Sequence, residues 1–128
     1  MEHLFEIAFN AAIEKKAINP VILDLRNLSG VTDFFLICSG QSQVQVRSIA
    51  DNILEKVGEH GHKLPVKEGY QTGIWVLLDF GQLVIHILQE RERQFYALEQ
   101  LWHDAKMVAV PSFNMGPKAL GDLGGQQQ

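Results

Sequence analysis

Between Leu4 and Lys16 the apolar residues Leu4, Ile7, Ala8 and Ala11 recur at helical spacing, and Phe5, Phe9 and Ile13 widen the stripe. That period predicts an amphipathic helix with one broad buried face. Asn19-Pro20 punctuates it, because the residue before a proline is driven out of the helical region. Val21-Ile22-Leu23-Asp24-Leu25 then reads as a short strand, broken by Asn27-Leu28-Ser29-Gly30. Phe34 to Cys38 is apolar without alternation, which suits a central strand covered on both faces. Ser42 and Gln45 have capping-box spacing. They open a helix running to about Glu59, with Val46, Ile49, Ala50, Ile53 and Val57 inward and Arg47, Asp51, Glu55 and Lys56 left for solvent. Gly58 and Gly61 mark its end.

Leu64-Pro65-Val66 suits a short edge strand, since proline removes a ladder donor. Ile74–Asp79 and Gln82–Leu88 flank Phe80-Gly81 and predict a hairpin. With Phe80-Gly81 as a two-residue loop, Asp79 opposes Gln82, Leu77 opposes Val84 and Trp75 opposes His86. Strand alternation sorts these side chains into two sets. Ile74, Val76, Leu78, Leu83, Ile85 and Ile87 form an aliphatic core face, and Trp75, Leu77, Asp79, Gln82, Val84 and His86 form a mixed one. From about Glu90 to Lys106 the pattern is helical again, with Phe95, Leu98, Leu101, Trp102 and Ala105 on one side. The order αββαβββα gives an α/β fold, a single-domain mixed β-sheet flanked by helices, over residues 1–106. Residues 107–128 carry prolines, glycines and three terminal glutamines with no sustained period, and are expected to be a partly mobile tail.

The mixed hairpin face has two readings. A helix or the tail covers it, or it is a partly exposed docking surface anchored by a tryptophan. His86 has a plainer reading as a hydrogen-bonded structural residue. Composition narrows the partners. The net charge of −4 over 128 residues provides no positive field for direct nucleic-acid binding. The single cysteine, Cys38, rules out an internal disulfide and sits in an apolar strand, where a thiol is inert. No apolar run approaches the roughly 20 residues of a membrane span. Met1-Glu2-His3-Leu4-Phe5-Glu6 lacks the basic start of a signal peptide, so a cytoplasmic location is expected.

Catalysis finds little footing. The turn Cys38-Ser39-Gly40-Gln41-Ser42 before a helix invites comparison with phosphate-binding loops. It has no following lysine and no further glycines at fingerprint spacing. The candidate acids Asp24, Asp51 and Asp79 do not form the converging set that metal-assisted phosphoryl transfer requires. His60 and His62 have no clear third ligand. No catalytic residue, metal or cofactor is assigned.

Two separated stretches carry a resemblance. The first is Thr32-Asp33-Phe34-Phe35-Leu36-Ile37-Cys38-Ser39-Gly40-Gln41-Ser42 with Val46-Arg47-Ser48-Ile49-Ala50-Asp51. The second is Glu68-Gly69, Trp75-Val76-Leu77-Leu78-Asp79-Phe80-Gly81, Val84-Ile85-His86 and Arg93-Gln94-Phe95-Tyr96-Ala97-Leu98-Glu99-Gln100-Leu101-Trp102. In unbroken order over about residues 4–105, they resemble the ribosomal silencing factor (Iojap-like) family. The resemblance implies an α/β fold related to nucleotidyltransferases but without the catalytic acids. It implies binding to large-subunit ribosomal protein fourteen at the intersubunit face, which blocks subunit joining and lowers translation when nutrients are scarce. Organellar relatives assist large-subunit assembly, and members tend to form homodimers. The family's docking aromatics correspond to Trp75 and Tyr96. Geometry adds Leu77, Val84, His86 and Glu99 as candidate contacts. The alternatives are a large-subunit assembly factor and a nucleotide-handling enzyme using the turn at Gly40.

Overall fold

The computed structural model describes residues 3–28, 30, 32–101 and 103–110. Helix α1 (Leu4–Glu14) forms on the predicted stripe and buries Leu4, Phe5, Ile7, Ala8, Phe9, Ala11 and Ala12. Helix α2 (Gln43–Glu59) starts at Ser42, whose side chain accepts from the Gln45 backbone N–H at 3.1 Å. The other half of the expected capping box is displaced by one residue. Gln45 Oε1 accepts from the Gln41 N–H at 2.7 Å, while its amide nitrogen donates to the Lys15 and Lys16 carbonyls. One glutamine thus fastens the start of α2 to the end of α1.

The strands are β1 (Ile18–Asp24), β2 (Phe34–Gly40), β3 (Val66–Glu68), β4 (Trp75–Asp79), β5 (Leu83–Gln89) and β6 (Lys106–Met107). They form one mixed sheet in the order β3-β4-β5-β2-β1-β6, antiparallel throughout except for β2 beside β5. Strand β1 begins earlier than its β-branched run suggested. Its pairing with β2 is irregular between Ile18 and Val21, and Asn19 there has φ +43°. An irregularity of this kind tolerates Pro20, which has no N–H for the ladder. Strand β6 was not foreseen. It pairs Met107 with Leu23, and the Val108 N–H donates to Ile22 O, so the sheet takes in the first residues of the expected tail.

The two faces are covered unequally. On one face α1 and α2 pack against each other and over Ile22, Leu36, Cys38, Val76, Leu78, Leu83, Ile85 and Ile87. A fully buried aliphatic such as Ile85 or Leu36 contributes roughly 1.5–3 kcal/mol. Ile74, expected in this layer, lies just before β4 and is 40% exposed. On the opposite face Leu23, Leu25, Ile37 and Leu88 form a smaller core, flanked by Val21, Phe35, Trp75, Leu98 and Ala105. Among the described residues, this second face carries the short helices α3 (Glu90–Tyr96) and α4 (Leu98–Leu101).

The single helix expected over Glu90–Lys106 is therefore divided. Ala97 takes a left-handed conformation, φ +48°, and its N–H closes the turn on Arg93 O. The cause lies at long range. Arg93 is buried and donates to Ile18 O, Asn19 O and Ser39 Oγ, while Nε and a terminal nitrogen bind Glu99 Oε2 at 3.1 and 2.7 Å. Folding Glu99 back onto Arg93 breaks the helical path. Phe95, expected in the core, instead lies on the outer side. Trp102 and residues 111–128 lie outside the described residues.

Candidate functional site

The hairpin has the expected faces in a shifted register. Asp79 pairs with Val84, Leu77 with His86 and Trp75 with Leu88. The loop is Gly81-Gln82, not Phe80-Gly81, because Phe80 itself pairs, its N–H donating to Leu83 O at 2.8 Å. Gly81 supplies the positive φ of +89°, and its N–H is received by Asp79 Oδ1. The shift is two residues, an even number, so the sorting of side chains between faces is unchanged. Trp75 and His86 become diagonal neighbours across the two strands, still within reach of long side chains.

That reach is used. Trp75 Nε1 donates to His86 Nδ1 at 3.1 Å, so the imidazole is neutral and carries its proton on Nε2. His86 is buried, and burial pushes its pKa down from 6.5 to about 4. Its Nε2 has no hydrogen-bond partner among the described residues. The ring meets Phe35 edge-on, with centroids 4.6 Å apart. Above this layer the Trp75 indole lies against Tyr96, centroids 5.0 Å apart, and Tyr96 meets Phe95 at 4.9 Å. Tyr96 is 51% and Phe95 78% exposed.

The six candidate contacts therefore separate by depth. Trp75, Leu77 and Val84 are half-buried on the sheet face, and Tyr96 stands exposed beside Trp75. His86 lies underneath, with its ring nitrogen against the indole. Glu99 is half-buried and held by Arg93, six residues before it in the chain. The sequence reading missed Phe95 as a surface aromatic, Phe35 as the floor under His86, and Arg93 as the tie that places α3. The break that exposes Phe95 depends on Arg93, and no local period records it.

The Gly40 turn is filled by the chain's own groups. A Cβ on Gly40 would come within 3.2–3.3 Å of Gln45 and Val46 side-chain atoms. The Ser39 hydroxyl donates to Glu90 Oε1 and accepts from Arg93. At the helix start, Ser42 and Gln45 take the N–H groups of Gln45 and Gln41. The three candidate acids are likewise engaged separately. Asp24 binds Arg26 through both oxygens, which pulls its carboxyl down to about 2. Asp51 accepts from Tyr70 and Asp79 from the hairpin turn. A groove of about 470 Å³ runs along the outer side of α2, lined by Lys15, Arg47, Asp51, Asn52 and Tyr70 among others. Arg47 donates to Gln71 O, and Asn52 to Ala11 O and Glu14. Arg47, Asp51, Asn52 and Tyr70 are thus engaged within the fold, whereas Tyr96 and Phe95 on the opposite layer stand exposed.

Comparison with known proteins bears on the family and the fold. The family model described as "Ribosomal silencing factor during starvation" matches residues 1–122. The ribosomal silencing factor of Halalkalibacterium halodurans is 41% identical over 109 residues, covering 85% of this chain and 93% of that protein. The chloroplastic protein Iojap of Zea mays is 33% identical over 101 residues, 79% of this chain and 44% of that protein. Among solved structures, a Bacillus halodurans protein superposes with TM-score 0.73 at 40% identity over 83% of this chain and 96% of that one. A Chromobacterium violaceum protein does so with TM-score 0.77 at 29% identity over 94% and 99%. With a family match spanning nearly its whole length and close relatives of the same fold, this chain belongs to the ribosomal silencing factor family.

Proposed function

We propose that the chain represses translation by binding the large ribosomal subunit through the Trp75–Tyr96 face and sterically excluding the small subunit. The partner on the large subunit is ribosomal protein fourteen. Trp75, Leu77, Val84, Tyr96 and Glu99 form or flank the contact, and His86 supports it from below. One observation carries this reading. The sheet face not covered by α1 and α2 presents a contiguous aromatic group, Trp75, Tyr96 and Phe95, at its surface. Large amphipathic aromatics concentrate binding energy at interfaces. The negative net charge of −4 complements a basic ribosomal partner. Steric exclusion needs affinity and position, not chemistry, which accords with candidate acids that are each engaged elsewhere.

The test is co-sedimentation with separated ribosomal subunits, followed by a subunit-rejoining assay. The expected result is binding to the large subunit and suppressed rejoining, with Trp75→Ala weakening binding by more than about 2 kcal/mol while the fold is retained. Binding without suppression would replace silencing by a role in large-subunit assembly. Undiminished binding by Trp75→Ala would exclude this face.

A further inference from the structure

We propose that His86 is a positioning residue: it makes no contact with the partner but fixes the Trp75 indole in its docking orientation by accepting the indole N–H. This rests on the assignment of the Trp75–Tyr96 face as the docking surface.

The argument begins with what a docking tryptophan needs. An anchor side chain that must be ordered on binding forfeits part of its interaction energy to lost rotamer freedom, and one already held does not. Trp75 lies on β4, half-buried, with Tyr96 against one side of its ring. Ring packing alone leaves the indole free to turn over, since both of its faces are apolar. The hydrogen bond from Nε1 to His86 Nδ1, at 3.1 Å, distinguishes one orientation from the other.

His86 is itself firmly placed. It is paired between Leu77 of β4 and Ile37 of β2, in the interior of the sheet, and Phe35 meets its ring. Yet it is an expensive residue to bury. Nε2 is enclosed with no hydrogen-bond partner among the described residues, so its hydration is lost on folding without replacement. A phenyl ring in the same place would pack against Phe35 with no polar atom to desolvate. Among the described residues, the hydrogen bond this imidazole makes is the one it accepts from Trp75. A buried polar group that stability alone disfavours, spent on orienting one surface aromatic, is the signature of a residue serving binding at the expense of stability.

Three measurements on the full chain test this. In the native 15N-labelled protein, a 15N–15N coupling across the hydrogen bond should connect Trp75 Nε1 to His86 Nδ1, the indole signal being identified by its loss in Trp75→Phe. His86→Phe should keep or raise the urea midpoint, speed exchange of the Trp75 indole proton, and weaken co-sedimentation with large subunits about tenfold, one hydrogen bond's worth. His86→Asn, whose Oδ1 sits near the place of Nδ1, should restore slow exchange and most of the affinity. Absence of the coupling in the native protein would overturn the proposal without recourse to any variant. So would native-like binding by His86→Phe while Trp75→Ala fails to bind, or failure of His86→Asn to restore affinity. If Trp75→Ala also bound as the native protein does, the docking face itself would be wrong, and the coupling would still show that the hydrogen bond exists.

Discussion

His86 and Cys38 show how burial sets the chemistry of single residues on the two sides of the same sheet. The sequence marks Cys38 as an inert thiol and His86 as a hydrogen-bonded residue among the candidate contacts, and the structure gives each a titration to check. The His86 imidazole is held near 4 in the fold against 6.5 in an unfolded chain, because burial disfavours its charged form. Above about pH 6.5 both states are neutral and the fold keeps its full stability. As pH falls from there to about 4, the unfolded chain takes up a proton that the folded site refuses, so stability drops by roughly 3 kcal/mol. Urea midpoints at about pH 7 and about pH 4.5 should show this fall, and His86→Phe should flatten its share of it. Burial acts in the opposite direction on an acid. The Cys38 thiol, fully enclosed beneath α1 and α2, is pushed up to about 12. A thiol-specific reagent at neutral pH should leave Cys38 unmodified in the native protein and react once urea unfolds it, because the thiolate is the reactive form.

At the scale of elements, the strongest local signals were legible and the long-range ones were not. The stripe of α1, the cap of α2 by Ser42 and the unalternating β2 all follow from patterns within a few residues. The division of the last helix does not, because Arg93 reaches across the sequence to Ile18 and Asn19 and draws Glu99 back with it. Periodicity placed Phe95 in the core for want of that contact. Arg93→Met is expected to cost about 3 kcal/mol or more, since it strands the carbonyls and Glu99 that the guanidinium satisfies. Denaturant unfolding would measure the cost, and amide exchange in α3 and α4 should rise more than in α2. The edge of the sheet rests on a smaller device. Gly69 turns the chain between β3 and β4 at φ +79°, and a Cβ there would lie 2.1 Å from Trp75 O. Gly69→Ala should therefore destabilise by more than about 2 kcal/mol, read as a lowered urea midpoint, because both the backbone angle and the contact forbid the methyl.

For the whole molecule, the sequence disclosed which face of the hairpin is mixed but not the depth of each residue on it. Alternation has a period of two, so it survived the two-residue register shift that moved Trp75 from opposite His86 to opposite Leu88. Depth depends on what covers the face, and α3 and α4 cover it only in part. The sheet's centre raises a different matter, one of order in time. Strands β1 and β2 are near neighbours in the chain, and β4 and β5 form a hairpin. The parallel pairing of β2 with β5 joins segments about 50 residues apart, with α2, β3 and β4 between them. Pairings of such separation form late, after their loop-closure cost is met. At synthesis rates of roughly 5–20 residues per second, β2 emerges several seconds ahead of its parallel partner. During that interval Leu36, Ile37 and Cys38 line a strand with one edge unpaired, an open invitation to another nascent copy. The chain's greatest exposure to aggregation therefore falls before Gln89 leaves the ribosome, and slower translation would lengthen it.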